Sequence, residues 1–120
     1  MNLNHMDLQV SDVPAARRFF EEHFGLRCVY ERQGLAMLQG GDEFELAVSN
    51  LFDSPPPQYP PDFHIGFVLS TPEEVRDAYE RVRTAGVSIR TEVSETGPNI
   101  YFVCTGPDSI PVEVRAPRRE

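Results

Sequence analysis

A chain of 120 residues, 40% of them hydrophobic, has the length and composition of one compact domain with a moderate core, which argues against disorder. Its 19 acidic residues stand against 11 arginines and no lysine; the resulting net charge of −8 repels a phosphate backbone and excludes nucleic acid as an expected partner. No apolar run approaches the roughly 20 residues of a membrane span, and "MNLNHMDLQV" lacks the basic start and apolar core of a signal peptide, so the expectation is a cytoplasmic protein without a membrane partner.

The first element is "LNHMDLQVS", where Met6, Leu8 and Val10 alternate with His5, Asp7 and Gln9 as in a strand. The next stretch, "SDVPAARRFFEEHFG", carries helix punctuation. Ser11 or Asp12 can cap it, Pro14 suits the first turn and Gly25 the stop, while Ala16, Phe19, Phe20 and Phe24 form an apolar stripe. Three strand-like runs follow, "LRCVYE", "GLAMLQG" and "EFELAVS". Cys28 and Cys104 both fall in apolar strand-like runs and form no metal or framework spacing, as two small buried thiols would.

After the proline-rich connector "NLFDSPPPQYPPD" the pattern repeats. "DFHIGFVLS" reads as a strand with Phe63, Ile65, Phe67 and Leu69 on one face and His64 on the other. "STPEEVRDAYERVRTAGV" is a helix with a Thr71–Glu74 capping box, Pro72 in its first turn and Gly86 at its end; its buried stripe is Val75, Ala78, Tyr79, Val82 and Ala85. "VSIRTEV", "NIYFVC" and "IPVEVRA" are the last three strands. Each half therefore reads βαβββ, a class α+β pattern. One domain over 1–120 is expected, with module one at about 1–50, the connector at about 51–61 and module two at about 62–117.

His5 and His64 occupy the first strands of the two halves, and Glu45 and Glu113 the last. Alternation puts all four on the face away from the helices, because strand side chains point to opposite sides at each step. A lone strand histidine is usually a surface group, and a lone strand glutamate usually marks a solvated face. Recurrence of both at matched positions shifts the reading toward a mixed nitrogen and oxygen donor set. Such a set suits a divalent metal ion (Zn, Ni, Co, Mn or Fe) and suits calcium or magnesium poorly.

With "NHMDLQVSD" followed by a Phe-rich helix ending in "FGL", "FHIGFVL" leading to "AGV", and "TGPDSIPVEV" near the end, the whole chain resembles the vicinal oxygen chelate superfamily. This is the glyoxalase, bleomycin-resistance protein and dioxygenase group. The resemblance implies two βαβββ modules forming a cupped mixed sheet around a metal held by His5, Glu45, His64 and Glu113, the full set used by glyoxalase I. Dioxygenase and fosfomycin-transferase relatives imply the smaller set His5, His64 and Glu113.

The leading expectation is a metal-dependent, glyoxalase I-like lyase or isomerase acting on a small vicinal-oxygen substrate, with Glu113 or Glu45 as general base. Several features depart from particular relatives. Gln9 stands near the position where glutathione-using members are expected to have arginine, and no cation lies between Arg90 and Arg115 to receive a phosphonate. An extradiol-type dioxygenase is a second enzyme reading, for which Tyr101 is the candidate acid/base or substrate contact. The non-enzyme alternative is a metal-free drug- or metabolite-binding protein, for which Asp7, Tyr30, Phe52 and Tyr59 would line an acidic aromatic groove. A homodimer is expected because an open sheet leaves edges to pair. Arg17, Arg18 and the tail "RAPRRE" read as solvated charge.

Overall fold

The computed structural model describes residues 1–118. Strands and helices follow in the order β1 (His5–Gln9), α1 (Val13–Phe24), β2 (Arg27–Arg32), β3 (Leu35–Gln39), β4 (Glu45–Ser49), β5 (Ile65–Val68), α2 (Pro72–Thr84), β6 (Ile89–Ser94), β7 (Asn99–Thr105) and β8 (Pro111–Pro117). The βαβββ pattern is thus present twice. Two compact units divide the chain, Met1–Gln58 and the part from Tyr59 onward. The division falls in the proline-rich connector, where residues 50–64 contain no helix or strand.

Each unit holds its own four-stranded mixed sheet, in the orders β1-β4-β3-β2 and β5-β8-β7-β6. The first and last strands of each unit run parallel, and the other neighbours are antiparallel. Parallel neighbours cannot be joined by a tight turn, so the helix and two strands between them supply the crossover.

Capping accounts for the helix ends. The Asp12 side chain accepts from the Ala15 amide at 3.0 Å, and Gly25, at φ 67, closes α1 in the left-handed conformation that glycine adopts without strain. In α2, Thr71 Oγ1 accepts from the Glu74 amide at 3.2 Å while the Thr71 amide donates to Glu74 Oε1 at 3.0 Å, a reciprocal capping box. Ala85, expected in the buried stripe of α2, is instead its exposed C-terminal cap; Val75, Ala78 and Val82 carry the burial.

In unit one, Val13, Ala16 and Phe20 of α1 are buried together with Leu8, Leu38 and Val48 of the sheet. In unit two the buried set includes Val75 and Val82 of α2 with Phe102, Val112 and Val114. Among the described residues no polar or charged residue is fully buried, so the Asp, Glu, His and Arg side chains of the sheets lie on faces that water or a ligand can reach. No helix among them is long and apolar enough to cross a membrane.

Candidate functional site

In unit one, β1 and β4 pair in the register His5↔Glu45, Asp7↔Ala47 and Gln9↔Ser49. β4 and β3 continue the row with Glu45↔Gln39, Ala47↔Met37 and Ser49↔Leu35. These residues share one face, because Leu8, Leu46, Val48, Ala36 and Leu38 take the buried opposite face. His5 and Glu45 are therefore cross-strand neighbours, and His5 Nδ1 lies 2.7 Å from Glu45 Oε1. An ionised carboxylate only accepts, so Nδ1 is the donor in this bond, and in the neutral ring Nε2 is the nitrogen that carries the lone pair. Metal-binding histidines are held in the same way, one nitrogen donating to a carboxylate and the other presented to the ion.

Asp7, two residues along β1, accepts a hydrogen bond from Ser49 Oγ at 2.6 Å. Its carboxylate is oriented on the same face as Glu45, within reach of a ligand laid along the strand.

Unit two repeats the topology with a different pairing. The β5–β8 register is Ile65↔Val112, Gly66↔Glu113, Phe67↔Val114 and Val68↔Arg115. Glu113 thus faces Gly66, and His64 lies just before the strand rather than in its middle, as the alternation of "DFHIGFVLS" suggests. The physical cause is Pro111, the first residue of β8, which would face His64 and has no N–H to extend the ladder. The His64 ring is held locally, with Nδ1 3.1 Å from the carbonyl oxygen of Asp62.

Gly66 shapes the surroundings of Glu113. A Cβ at Gly66 would meet the backbone oxygen of Glu113 at 3.4 Å and its Oε1 at 3.7 Å, so the absent side chain leaves the flank of this carboxylate open. Tyr101 shares the face. It pairs with Arg115 in the β7–β8 ladder, while Val103 pairs with Glu113.

The structure therefore brings His5 and Glu45 together in one unit and sets Glu113 on an open face beside a glycine in the other. Among the described residues, no three His, Cys, Asp or Glu side chains are grouped to hold a metal ion. The donor types nonetheless suit a divalent cation: the His5 imidazole beside the Glu45 carboxylate in unit one, and the Glu113 carboxylate beside Gly66 in unit two.

Two features escaped the sequence reading. Arg115, read there both in the strand "IPVEVRA" and in the solvated charge of "RAPRRE", stands on the face of Glu113, with its Nη1 4.0 Å from Glu113 Oε1. The step of two within "VEVRA" is the signal that could have found it. The second is a cleft of about 890 Å³ in unit one between the start of α1, the β2–β3 turn at Gly34 and the segment Asn50–Asp53. Phe52, 89% exposed, stands at its rim. Gly34 is needed there at φ 80, with a Cβ position only 3.0 Å from the Asn50 carbonyl oxygen. The cleft lies beyond the Gln9 and Ser49 ends of β1 and β4, and four strand residues, about 13 Å, separate those ends from His5 and Glu45.

Other charged groups have structural partners. Arg17 spans Glu31 at 2.6 Å and Glu21 at 3.1 Å, joining α1 to β2, and these two carboxylates hold its guanidinium above the ordinary arginine range. The hydroxyl of Tyr79 donates to Glu92, which raises its pKa. Burial pushes the Cys104 thiol up to about 11.

Comparison with known proteins places this geometry. No curated protein matches the chain. Among solved structures, a possible glyoxalase from Bacillus cereus is similar at 31% identity over 95% of this chain and 97% of that one, with a TM-score of 0.82. A lactoylglutathione lyase from Agrobacterium tumefaciens shares the fold at 18% identity, 96% and 92% coverage, and a TM-score of 0.81. The fosfomycin resistance protein FosX from Listeria monocytogenes does so at 20% identity, 97% and 93% coverage, and a TM-score of 0.79. The sequence model of one family matches residues 2–114. With that match spanning nearly its whole length, the chain belongs to the Glyoxalase/Bleomycin resistance protein/Dioxygenase superfamily.

Proposed function

We propose that the protein is a metal-dependent enzyme of the glyoxalase I-like lyase or isomerase type, acting on a small substrate with vicinal oxygens. The observation that carries this reading is the 2.7 Å contact of His5 Nδ1 with Glu45 Oε1 on the open face of a sheet, which leaves Nε2 to carry the lone pair of the neutral ring. The donors are His5 of the first unit, its ring held by Glu45, with His64 and Glu113 of the second, the smaller of the two expected sets, from one chain or from the two chains of a homodimer.

A bound divalent ion would act as a Lewis acid toward the substrate oxygens, stabilising negative charge on the carbonyl side. Glu113 is the general base of choice, because the space left by Gly66 lets a carbon acid approach its carboxylate. Glu45 is the second candidate, with its proton-accepting role tempered by the hydrogen bond from His5. Asp7, braced by Ser49, and Tyr101 contact and orient the substrate.

A metal-free metabolite-binding protein is the alternative favoured by the cleft at Phe52, whose exposed ring suits stacking on a planar ligand. Of the aromatic residues expected to line a groove, Tyr59 is already stacked on Phe63 at 4.8 Å. Elemental analysis of protein purified without added metal, followed by turnover assays on methylglyoxal–thiol adducts and catechols, separates the readings. Stoichiometric divalent metal with turnover of an adduct supports the lyase, and turnover of catechols the dioxygenase. Metal-free protein that binds ligands at Phe52 without turnover supports the binder.

A further inference from the structure

The open face of unit two carries a compact two-by-three array. Along β8 stand Glu113 and Arg115; Gly66 and Val68 face them across the parallel ladder, and Val103 and Tyr101 across the antiparallel one. The alternate residues Val112, Val114 and Ala116 are buried, so the direction of Arg115 is set by the strand rather than by a flexible tail.

Among the described residues, the ion-pair contact of Arg115 is the single one with Glu113, at 4.0 Å. That is well beyond the ~2.7–2.9 Å of a charge-assisted bond, so the donors of the guanidinium are not consumed by a paired fork. Its side chain is 46% exposed, against 21% for Glu113. Arg90, the other arginine in this sheet, differs: its Nη2 donates to the Ser109 carbonyl at 3.2 Å. A guanidinium with free donors, opposite a phenol in strand register, is a matched receptor for a planar carboxylate. On its other side Val68, 64% exposed, offers an apolar surface for a short carbon arm. On a chain of net charge −8, which repels anions in general, a local cation is what such a ligand would require.

We propose that Arg115, with Tyr101 opposite it, is an anion-recognising pair that selects a small α-hydroxy- or α-keto-carboxylate and directs its oxygen-bearing carbon toward Glu113. The inference rests on the enzymatic reading above and narrows its substrate class to one that carries an acid group. Arg115 acts here as a specificity-determining residue; the proton chemistry stays with the carboxylate next to it.

The test is a titration of the full chain with sodium lactate, and with neutral lactamide as its isostere, followed by amide chemical shifts. It is run on chelator-dialysed protein and again with Zn²⁺ restored, with Zn²⁺ affinity measured on the same samples. Saturable shifts at Tyr101, Val103, Glu113 and Arg115 are expected without metal, with lactamide weaker by about tenfold or more. Arg115→Met should weaken lactate by a similar factor, Arg115→Lys by less, and Arg90→Met not at all. Equal binding of lactate and lactamide, or wild-type binding by Arg115→Met with a native-like spectrum, would overturn the proposal. If Arg115→Met misfolds, the Arg115→Lys comparison and the lactate-to-lactamide ratio of the wild type decide the question. Lactate binding that needs Arg115 in a protein without Zn²⁺ affinity would count against the metal-enzyme reading alone; tight Zn²⁺ with lactate indifferent to Arg115 would count against this inference alone.

Discussion

His5 and Glu45 stand directly opposite each other in the parallel β1–β4 ladder, and the second unit does not repeat the relation: Glu113 stands opposite Gly66, with His64 two residues before it. A shared topology thus presents two unlike carboxylates. Glu45 is tied to an imidazole at 2.7 Å, whereas Glu113 has a vacant flank and a distant guanidinium. The difference suits a division of labour in which the first pair orients a ligand nitrogen and the second carboxylate handles protons.

Glu45→Gln tests the first role. The His5–Glu45 pair is partly solvated, with side chains 53% and 31% exposed, so its removal should change folding stability by no more than about 1 kcal/mol. Loss of the group that orients the ring should lower divalent-metal affinity by roughly 10- to 100-fold. Calorimetric metal titration beside urea denaturation of the same variant reads both quantities. A large stability loss with unchanged metal affinity would mean that the pair is purely structural.

Gly66 offers a graded test of access to Glu113. Alanine fits, since its Cβ would make ordinary contacts of 3.4 and 3.7 Å with Glu113, so Gly66→Ala should fold with stability within about 1 kcal/mol of the wild type. Gly66→Val adds two methyl groups over the carboxylate and should abolish turnover while the far-ultraviolet spectrum stays native. Full activity in Gly66→Val would remove Glu113 from the reacting centre.

Cys104 makes a prediction about pH. Burial raises its thiol from 9.0 to about 11, so the folded state holds a proton that the unfolded chain has released between those values. Its contribution to stability is therefore intact below pH 9 and falls as pH rises toward 11. Thermal melts across that range should show a steeper decline for the wild type than for Cys104→Ala. A thiol reagent at pH 8 should label the partly exposed Cys28 at once and Cys104 only on unfolding. Equal labelling rates would contradict the burial.

Thr71→Ala serves as a control away from the candidate site. It removes the acceptor of the Glu74 amide and should cost about 0.5–2 kcal/mol, with metal affinity unchanged. Differential scanning calorimetry with a metal titration checks it; altered metal affinity would show that these titrations respond to general destabilisation.

Helix ends were the most legible part of the sequence, because capping is a local interaction: Asp12, Gly25 and the Thr71–Glu74 box are each written within four residues. The open faces were nearly as legible, since alternation alone separates Glu45 and Glu113 from their buried neighbours. Ladder partners were not. The early end of β5 depends on Pro111, nearly fifty residues away, and periodicity within "DFHIGFVLS" is blind to it. The bulge between Cys28 and Tyr30 is likewise invisible in "LRCVYE", yet it breaks the alternation and leaves both Val29 and Tyr30 about half exposed. For Arg115 both the strand "IPVEVRA" and the exposed charge were legible; its nearness to Glu113 depends on side-chain direction, of which alternation gives only the shared face.

The central claim is that donors from both units hold one divalent ion. Isothermal titration of chelator-dialysed protein with Zn²⁺, in the wild type, His5→Ala and His64→Ala, tests it most directly. The account predicts one ion per chain for the wild type and a loss of that binding, by tenfold in affinity or more, when either histidine is removed. Wild-type affinity and stoichiometry in both variants, or no binding by the unaltered chain, would contradict it.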